Sequence, residues 1–336
     1  MVELLNRSNY LGFVSGGKSP RYPENVVVLY DLSSKSPISE YSVPLPVVAF
    51  RLTYNFVIVL TLSDIYVFSL SDQPELLYHC ATADNPYGVV EVTCQKELTP
   101  TCVFPARRIG ALHVIADLGE CNQSLHTQTS FTPASIIASQ SSVAAVAVSA
   151  DGRFLAASSV RGTLIRLFSL LGQRPLLVEF RRGAEAAHIL TLAFAPPSES
   201  SHILLLAASD TGTAHVFGYS LPDAELAGSP RGPRQRYSIL SSAARVVAAT
   251  SAAASGGGNA VVSSGAPPAS SKVPHLLDSC RFNVGTQAAK ATRLLSNTHA
   301  VALSPDGRIQ RFAILPSDGI ARPDIIDTFL EPFDDI

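Results

Sequence analysis

The sequence predicts an all-β protein built as a β-propeller, and three observations support this prediction. First, a turn followed by a strand of alternating apolar residues recurs six times, with the copies starting at residues 25, 64, 110, 162, 212 and 307. Second, the 23 prolines and 21 glycines punctuate the whole chain, as short antiparallel strands require. Third, no helical period is evident outside one long insertion. A repeat of roughly 40–50 residues is typical of propeller blades, whereas an unrelated β-sandwich is the alternative.

The stretches between the copies complete this pattern. Residues 143–148 and 154–158 form two apolar runs around a turn, and residues 189–194 and 203–208 do the same around a proline-rich turn. We therefore expect one domain over 1–336, with a strand–turn–strand–turn–strand order in each repeat.

The widest gap between copies contains the insertion, residues 222–274, which we expect to be a flexible loop in the penultimate blade. Its residues 239–271 are mostly Ala, Ser and Gly, and residues 240–254 could form a weakly amphipathic helix on a partner. The loop also carries basic and apolar side chains suited to a membrane surface, namely Arg231, Arg234, Arg236, Tyr237, Ile239 and Leu240.

The composition limits the class of protein. Of the 336 residues, 46% are apolar and 15% are charged, so the chain can bury a sizeable core and is not disordered overall. A net charge of −2 argues against a general nucleic-acid binder. Five cysteines without a C-x-x-C pair indicate a reduced, cytoplasmic chain without a structural zinc site. No run of apolar residues is long enough to span a bilayer.

One nucleotide-binding motif has the wrong context. Residues 12–19 match the P-loop pattern letter for letter, with Lys18 at the lysine position. The motif must open a helix whose N-terminal amides hold the phosphates, but Pro20 and Pro23 follow at once. A turn within a blade is the better interpretation, and a nucleotide-binding enzyme remains the second alternative.

An arginine pair is the strongest candidate for ligand binding. In Phe180-Arg181-Arg182-Gly183 the two arginines follow an extended run, so they point to opposite sides and face two different grooves between blades. Gly183 lets the backbone turn away without a side chain in the way. Arginine stays charged and binds phosphate oxygens through two parallel hydrogen bonds.

Hydroxyl groups recur at matching positions on both sides of this pair. Ser159 and Thr163 flank one turn, and Ser209 and Thr213 flank the equivalent turn of the next repeat. The repeats therefore predict two phosphate sites of near-equal design, to which the nearby His188 and His215 could also donate. The alternative is that both arginines are ordinary surface charges and that the serines and threonines serve only to form the turns of a propeller. No catalytic or metal-ligand spacing emerges, so we expect a binding protein without enzymatic activity, cofactor or metal.

Several segments resemble the PROPPIN family of phosphoinositide-binding β-propellers. They are RSNYLGFVSGGKSPRYP at residues 7–23, TADNPYG at 82–88, FRRG at 180–183, SDTGTAHVF at 209–217 and the closing segment near 328–330. The first segment is most similar to the short branch, subtypes three and four, whereas the FRRG spelling is more typical of the other branch. The family has one more blade upstream of the match to Met1, and a histidine before its fifth blade where Ser139 and Gln140 stand here.

The resemblance implies a seven-bladed propeller that binds phosphatidylinositol 3-phosphate and phosphatidylinositol 3,5-bisphosphate. It places Arg181 with Ser159 and Thr163 in a first pocket, and Arg182 with Ser209 and Thr213 in a second. It also implies a membrane-inserting loop at 222–274 and recruitment of an autophagy lipid-transfer protein. We accordingly expect a monomer at phagophore or endosomal membranes, with a WD-type protein scaffold as the alternative.

Overall fold

The computed structural model describes residues 1–6, 8–93, 99–121, 132–171, 176–196, 202–221, 276–285, 291–303, 308–315 and 320–328. These residues form 24 strands in sequence order. No helix among them is long and apolar enough to cross a bilayer.

The first twelve strands form three four-stranded antiparallel sheets, here called blades 1 to 3. Blade 1 contains β1 Val2–Leu4, β2 Tyr10–Phe13, β3 Val26–Asp31 and β4 Ser36–Ser42. Blade 2 contains β5 Ala49–Leu52, β6 Phe56–Leu60, β7 Asp64–Ser69 and β8 Leu76–Ala81. Blade 3 contains β9 Glu91–Val92, β10 Cys102–Pro105, β11 Ala111–Ile115 and β12 Ala134–Ile137.

The remaining strands form blades 4 to 6. Blade 4 contains β13 Val143–Val148, β14 Phe154–Ser159, β15 Leu164–Ser169 and β16 Leu176–Arg181. Blade 5 contains β17 Ile189–Phe194, β18 His202–Ser209, β19 Thr213–Ser220 and β20 Leu276–Asn283. Blade 6 contains β21 Thr292–Leu294, β22 His299–Leu303, β23 Arg308–Leu315 and β24 Ile320–Thr328. Blades 5 and 6 touch at one parallel pair, between Arg281 and Ile320.

The predicted repeat is confirmed strand by strand. Each of the six recurring segments coincides with the third strand of a blade: β3, β7, β11, β15, β19 and β23. Within every blade the strands follow sequence order and pair antiparallel with their neighbours. The third strand, like the second, has a partner on both sides, so its apolar side chains can be buried on both faces of the blade.

Strand alternation sends apolar side chains to both faces of each blade. In β6, Val57 and Val59 join a cluster shared with blade 1, whereas Ile58 and Leu60 join a cluster shared with blade 3. All four side chains are fully buried. The blades therefore pack face to face, and each interior blade has two apolar surfaces.

Five such clusters connect the six blades in sequence. They contain Val27 with Phe50, Ile58 with Phe104, Leu112 with Leu155, Ile165 with Phe217, and Val216 with Phe312. Burying one such side chain contributes about 1.5–3 kcal/mol, whereas an exposed ion pair contributes about 0–1 kcal/mol. Apolar packing between blades therefore stabilises the fold far more than the three ion pairs between described residues do.

The innermost strands converge, as expected for a propeller. Glu3 of β1 lies 3.6 Å from Arg51 of β5, and one Glu3 carboxylate oxygen accepts a hydrogen bond from the Leu52 amide at 3.0 Å. Burial raises the pKa of Glu91 in β9, and the positive charges of Arg51 and Arg293 partly offset this effect. Since Arg293 belongs to β21, charged side chains of the innermost strands of blades 1, 2, 3 and 6 lie close enough to influence one another.

Candidate functional site

A tight turn shapes the first predicted pocket. Ser159 ends β14, and its carbonyl accepts a hydrogen bond from the Gly162 amide at 2.9 Å. Gly162 has φ 59°, and a Cβ there would lie 1.8 Å from the Ala187 carbonyl oxygen. Thr163 follows, half-buried, just before β15. Since Leu155 and Ala157 pack toward blade 3, alternation places Ser159 on the same side.

The equivalent turn of blade 5 gathers three hydroxyl groups. The Oγ of Ser209 lies 2.7 Å from the Oγ1 of Thr211 and 3.1 Å from the Oγ1 of Thr213, and the two threonine oxygens are 3.0 Å apart. Ser209 is fully buried, whereas Thr211 is exposed. Each hydroxyl can donate or accept, so this triad can reorient its protons toward an anion.

Arg182 lies on the blade 5 side of the arginine pair, and its guanidinium is partly engaged. Its Nε donates to the Gly162 carbonyl at 2.7 Å, and its Nη2 donates to the Glu185 carbonyl at 2.6 Å. Its backbone amide donates to the Thr163 carbonyl at 2.9 Å. A guanidinium has five N–H donors, so three are not used by these contacts. Arg182 therefore shapes the turn and can still bind a ligand.

Arg181 lies on the opposite side. It ends β16, where it pairs with Leu164. Arg181 is two residues from Glu179, which pairs with Arg166, so Arg181 lies on the same face of the strand as Glu179. Because Arg166 donates to the Ala138 carbonyl at 2.9 Å, this side of blade 4 faces blade 3. The Arg181 side chain is exposed.

The structure does not support the expectation that Gly183 is needed to make room for the turn. A Cβ at Gly183 would meet nothing within 4 Å. Its φ is not among the positive values of the described glycines, so neither space nor backbone conformation requires a glycine there.

His215 lies near two arginines, Arg182 and Arg281. Burial lowers its pKa to about 4, with further lowering by the charges of Arg182 and Arg281. Arg281 stands directly opposite His215 in the β19–β20 pairing and is exposed. The ring of His215 stacks on Phe217 with 5.9 Å between centroids. At neutral pH the imidazole is therefore uncharged.

His188 makes a different set of contacts. Its backbone amide donates to Oδ1 of Asp210 at 3.0 Å, and its carbonyl accepts from the Asp210 amide at 2.9 Å. Its ring lies 4.6 Å from that of Tyr87, in the connection between blades 2 and 3. The His188 ring therefore contacts Tyr87. Only the backbone of His188 contacts Asp210, the residue that follows Ser209.

The segment with the P-loop spelling adopts strand and turn structure. Gly12 lies within β2, where a Cβ would come 2.8 Å from the Phe50 ring. Lys18 is exposed in the connection between β2 and β3, and no helix follows it. The glycine thus permits close packing on blade 2, and the helix that a phosphate-binding P-loop needs is not there.

A family model described as PROPPIN matches residues 1–232, more than half of the chain. This chain belongs to the PROPPIN family. The expected resemblance is therefore confirmed, and it covers both the arginine pair and the two hydroxyl-bearing turns.

Curated relatives of this PROPPIN are similar over part of their length. SVP1-like protein 2 of Emericella nidulans is 33% identical over 219 residues, which cover 65% of this chain and 62% of the relative. SVP1-like protein 2 of Schizosaccharomyces pombe is 30% identical over 236 residues, or 70% of this chain and 58% of the relative. The chain thus spans about three-fifths of the length of these relatives.

Solved structures share the fold. Kluyveromyces lactis Hsv2 with a complete loop 6CD superposes with a TM-score of 0.66 at 19% identity, covering 98% of this PROPPIN and 86% of that chain. KlAtg21, solved with the coiled coil of AgAtg16, gives a TM-score of 0.64 at 15% identity and covers 98% and 84%. Together with the six four-stranded blades, these likenesses confirm the β-propeller.

The two grooves of this PROPPIN are unequal, in contrast to the near-equal design expected from the repeats. The groove between blades 3 and 4 receives Ser159 and Arg181, and its turn carries the exposed Arg161. The groove between blades 4 and 5 receives a larger set of polar side chains: Arg182, Ser209, Thr211, Thr213, His215 and Arg281.

Two residues of the second groove, Thr211 and Arg281, were not predicted from the sequence. Thr211 could have been found, because Ser209, Thr211 and Thr213 alternate along the turn. Arg281 carried no local signal, since it follows the long insertion and meets His215 only through strand pairing. The predicted membrane-contacting residues lie outside the described residues: Arg231, Arg234, Arg236, Tyr237, Ile239 and Leu240.

Proposed function

We propose that this PROPPIN binds membranes that contain phosphatidylinositol 3-phosphate or phosphatidylinositol 3,5-bisphosphate. The observation that carries the proposal is the placement of Arg181 and Arg182, which are adjacent in the chain and lie on opposite sides of blade 4. A serine ends the second strand of a blade beside each arginine: Ser159 in blade 4 on the side of Arg181, and Ser209 in blade 5 on the side of Arg182. One arginine with nearby hydroxyl donors suits a phosphate, because charge-assisted hydrogen bonds are short and strong.

Two modest sites on one blade act together on a vesicle. After the first headgroup binds, the second site faces a high effective concentration of lipid, so the joint affinity exceeds either single affinity. The basic and apolar residues of the 222–274 segment add a further membrane contact in this proposal. A single anchor of this kind would give only marginal binding.

The proposal includes recruitment of autophagy proteins at phagophore or endosomal membranes by a cytoplasmic protein. Family membership supports it, and KlAtg21, which has the same fold, was solved in complex with the coiled coil of AgAtg16. An autophagy lipid-transfer protein is a second partner in this proposal. The propeller itself acts as a binding platform and not as an enzyme.

Vesicle flotation tests the lipid proposal. We expect the wild-type protein to float with vesicles that contain phosphatidylinositol 3-phosphate and to remain unbound to neutral vesicles. Arg181→Ala should weaken binding about tenfold, as expected for one lost charge-assisted contact. The double variant with Arg182→Ala should abolish binding.

Two controls make this test decisive. Arg107→Ala removes an exposed arginine from blade 3 and should float like the wild type. Thermal unfolding must accompany the double variant, because Arg182 also holds two backbone carbonyls. Binding that ignores the headgroup, or that survives the double substitution, would reject the proposal and favour a WD-type scaffold.

A further inference from the structure

Arg281 lies on the wall of the second groove that faces blade 4. In the β19–β20 pairing, Thr213 is opposite Asn283 and His215 is opposite Arg281, so these four side chains share one face. Phe217 continues the same alternation and stacks on Phe180 of blade 4, with 4.9 Å between ring centroids. Arg281 therefore extends from the outer strand of blade 5 into the groove that also contains Arg182.

The two arginines approach one ring from two blades. Arg281 stands opposite His215 in the strand pairing, and the charges of Arg182 and Arg281 add to burial in lowering the pKa of His215. Arg182 follows blade 4, whereas Arg281 belongs to blade 5. Neither arginine takes part in the ion pairs formed between described residues. Two positive charges that act on the same ring repel each other, and a multiply charged anion bound between them would remove that repulsion.

The surrounding polar groups suit an anion as well. The one carboxylate on the adjoining turn, that of Asp210, accepts a hydrogen bond from the His188 amide. The hydroxyls of Ser209, Thr211 and Thr213 contact one another. The buried Ser209 hydroxyl can therefore orient the two threonine hydroxyls, which can turn a proton toward an oxyanion. Three N–H donors of Arg182 and the exposed guanidinium of Arg281 complete the donor set.

We propose that Arg281 is a phosphate-binding residue of the second groove and binds the second ring phosphate of a doubly phosphorylated inositol headgroup. Arg182 and the hydroxyl triad hold the first ring phosphate. The inference rests on the proposed lipid function and adds to it a residue that discriminates between headgroups. The second groove, and not the first, then determines how strongly the protein prefers a bisphosphate.

Quantitative vesicle binding tests this assignment with two compositions, phosphatidylinositol 3-phosphate or phosphatidylinositol 3,5-bisphosphate in phosphatidylcholine. Arg281→Gln should weaken binding to the bisphosphate vesicles about tenfold, equivalent to about 1.4 kcal/mol. It should change binding to the monophosphate vesicles by less than about twofold. Arg281→Lys keeps the charge and should fall between Arg281→Gln and the wild type, because a lysine lacks the planar fork.

The control variant is Arg107→Gln, which makes the same change of charge on an exposed position of blade 3 and should bind both vesicles normally. An equal loss on both lipids in Arg281→Gln would show that Arg281 adds only general attraction and would overturn the inference. Unchanged binding to the bisphosphate would do the same. Wild-type protein that prefers neither phosphoinositide over equally charged phosphatidylserine would instead reject the underlying lipid function.

Discussion

At the scale of single residues, Arg182 combines a structural and a proposed binding role. Its Nε and Nη2 hold the carbonyls of Gly162 and Glu185, so the guanidinium is fixed before any ligand arrives. A preorganised side chain loses little further entropy when it binds phosphate. Arg181, which is exposed, lacks this support. The two neighbours therefore differ in how rigidly they present their charge.

His215 should make lipid binding depend on pH. The free protein holds its pKa at about 4, below the ordinary value of 6.5, through burial and the charges of Arg182 and Arg281. A bound phosphate adds negative charge and raises this pKa, so the complex takes up a proton that the free protein does not. By linkage, affinity should then increase as pH falls from 7.5 toward 5.5.

Vesicle binding across this pH range checks the prediction, with His215→Gln as the comparison. The variant cannot take up the proton, so its affinity should lack this increase. Because headgroup protonation affects both proteins equally, the difference between them isolates the contribution of the imidazole. Parallel pH profiles would contradict a role for His215 near the ligand.

At the scale of elements, the turn before the third strand connects one blade to the next. The Gly162 carbonyl accepts the Arg182 Nε, and the Ala187 amide donates to the Arg161 carbonyl at 3.1 Å. Gly110 occupies the corresponding turn of blade 3 with φ 77°, and a Cβ there would lie 2.0 Å from the Ser139 carbonyl oxygen. Each such glycine allows the connection entering the next blade to pass close by.

Gly162→Ala should therefore destabilise the protein and weaken lipid binding together. The new Cβ would collide with the Ala187 backbone in a conformation that L-residues disfavour, at a cost of at least about 2 kcal/mol. Chemical denaturation measures the loss of stability. Gly16→Ala is the matched control, because nothing lies within 4 Å of a Cβ at that position, and equal stability of the two variants would contradict this account.

At the scale of the whole molecule, apolar packing joins neighbouring blades and charged residues meet near the axis. Burial raises the pKa of both Glu3 and Glu91, and the charge of Arg51 partly offsets this for each carboxyl. A carboxyl with a raised pKa binds its proton more readily in the folded state. Its contribution to the free energy of unfolding therefore grows as pH falls toward 4.5 and declines as pH rises.

Arg51→Met should lower the free energy of unfolding by about 1 kcal/mol at pH 7.5, because both buried carboxylates lose a compensating charge. The deficit should shrink as pH falls toward 4.5, where the carboxyls become neutral. Urea denaturation at several pH values measures this difference. A deficit that does not change with pH would show that packing of the arginine stem, and not its charge, stabilises the axis.

The local features of the fold were predictable from the sequence, and the distant pairings were not. The six third strands were visible because apolar alternation and the preceding turn lie within ten residues of each other. The serine and threonine positions of the two turns were visible because blades 4 and 5 repeat them. The hydrogen bonds from Arg182 to two carbonyl groups could not be predicted, because backbone acceptors have no sequence signature.

Local sequence features alone predicted the blade repeat, the adjacency of Arg181 and Arg182, and their placement on opposite sides of a strand. Those features follow from covalent geometry and strand periodicity, which act over a few residues. Folding brings His215 near Arg182 and Arg281 and places the His188 ring against Tyr87. Such contacts depend on register across strands and on packing between blades, which bring together residues that are far apart in the chain.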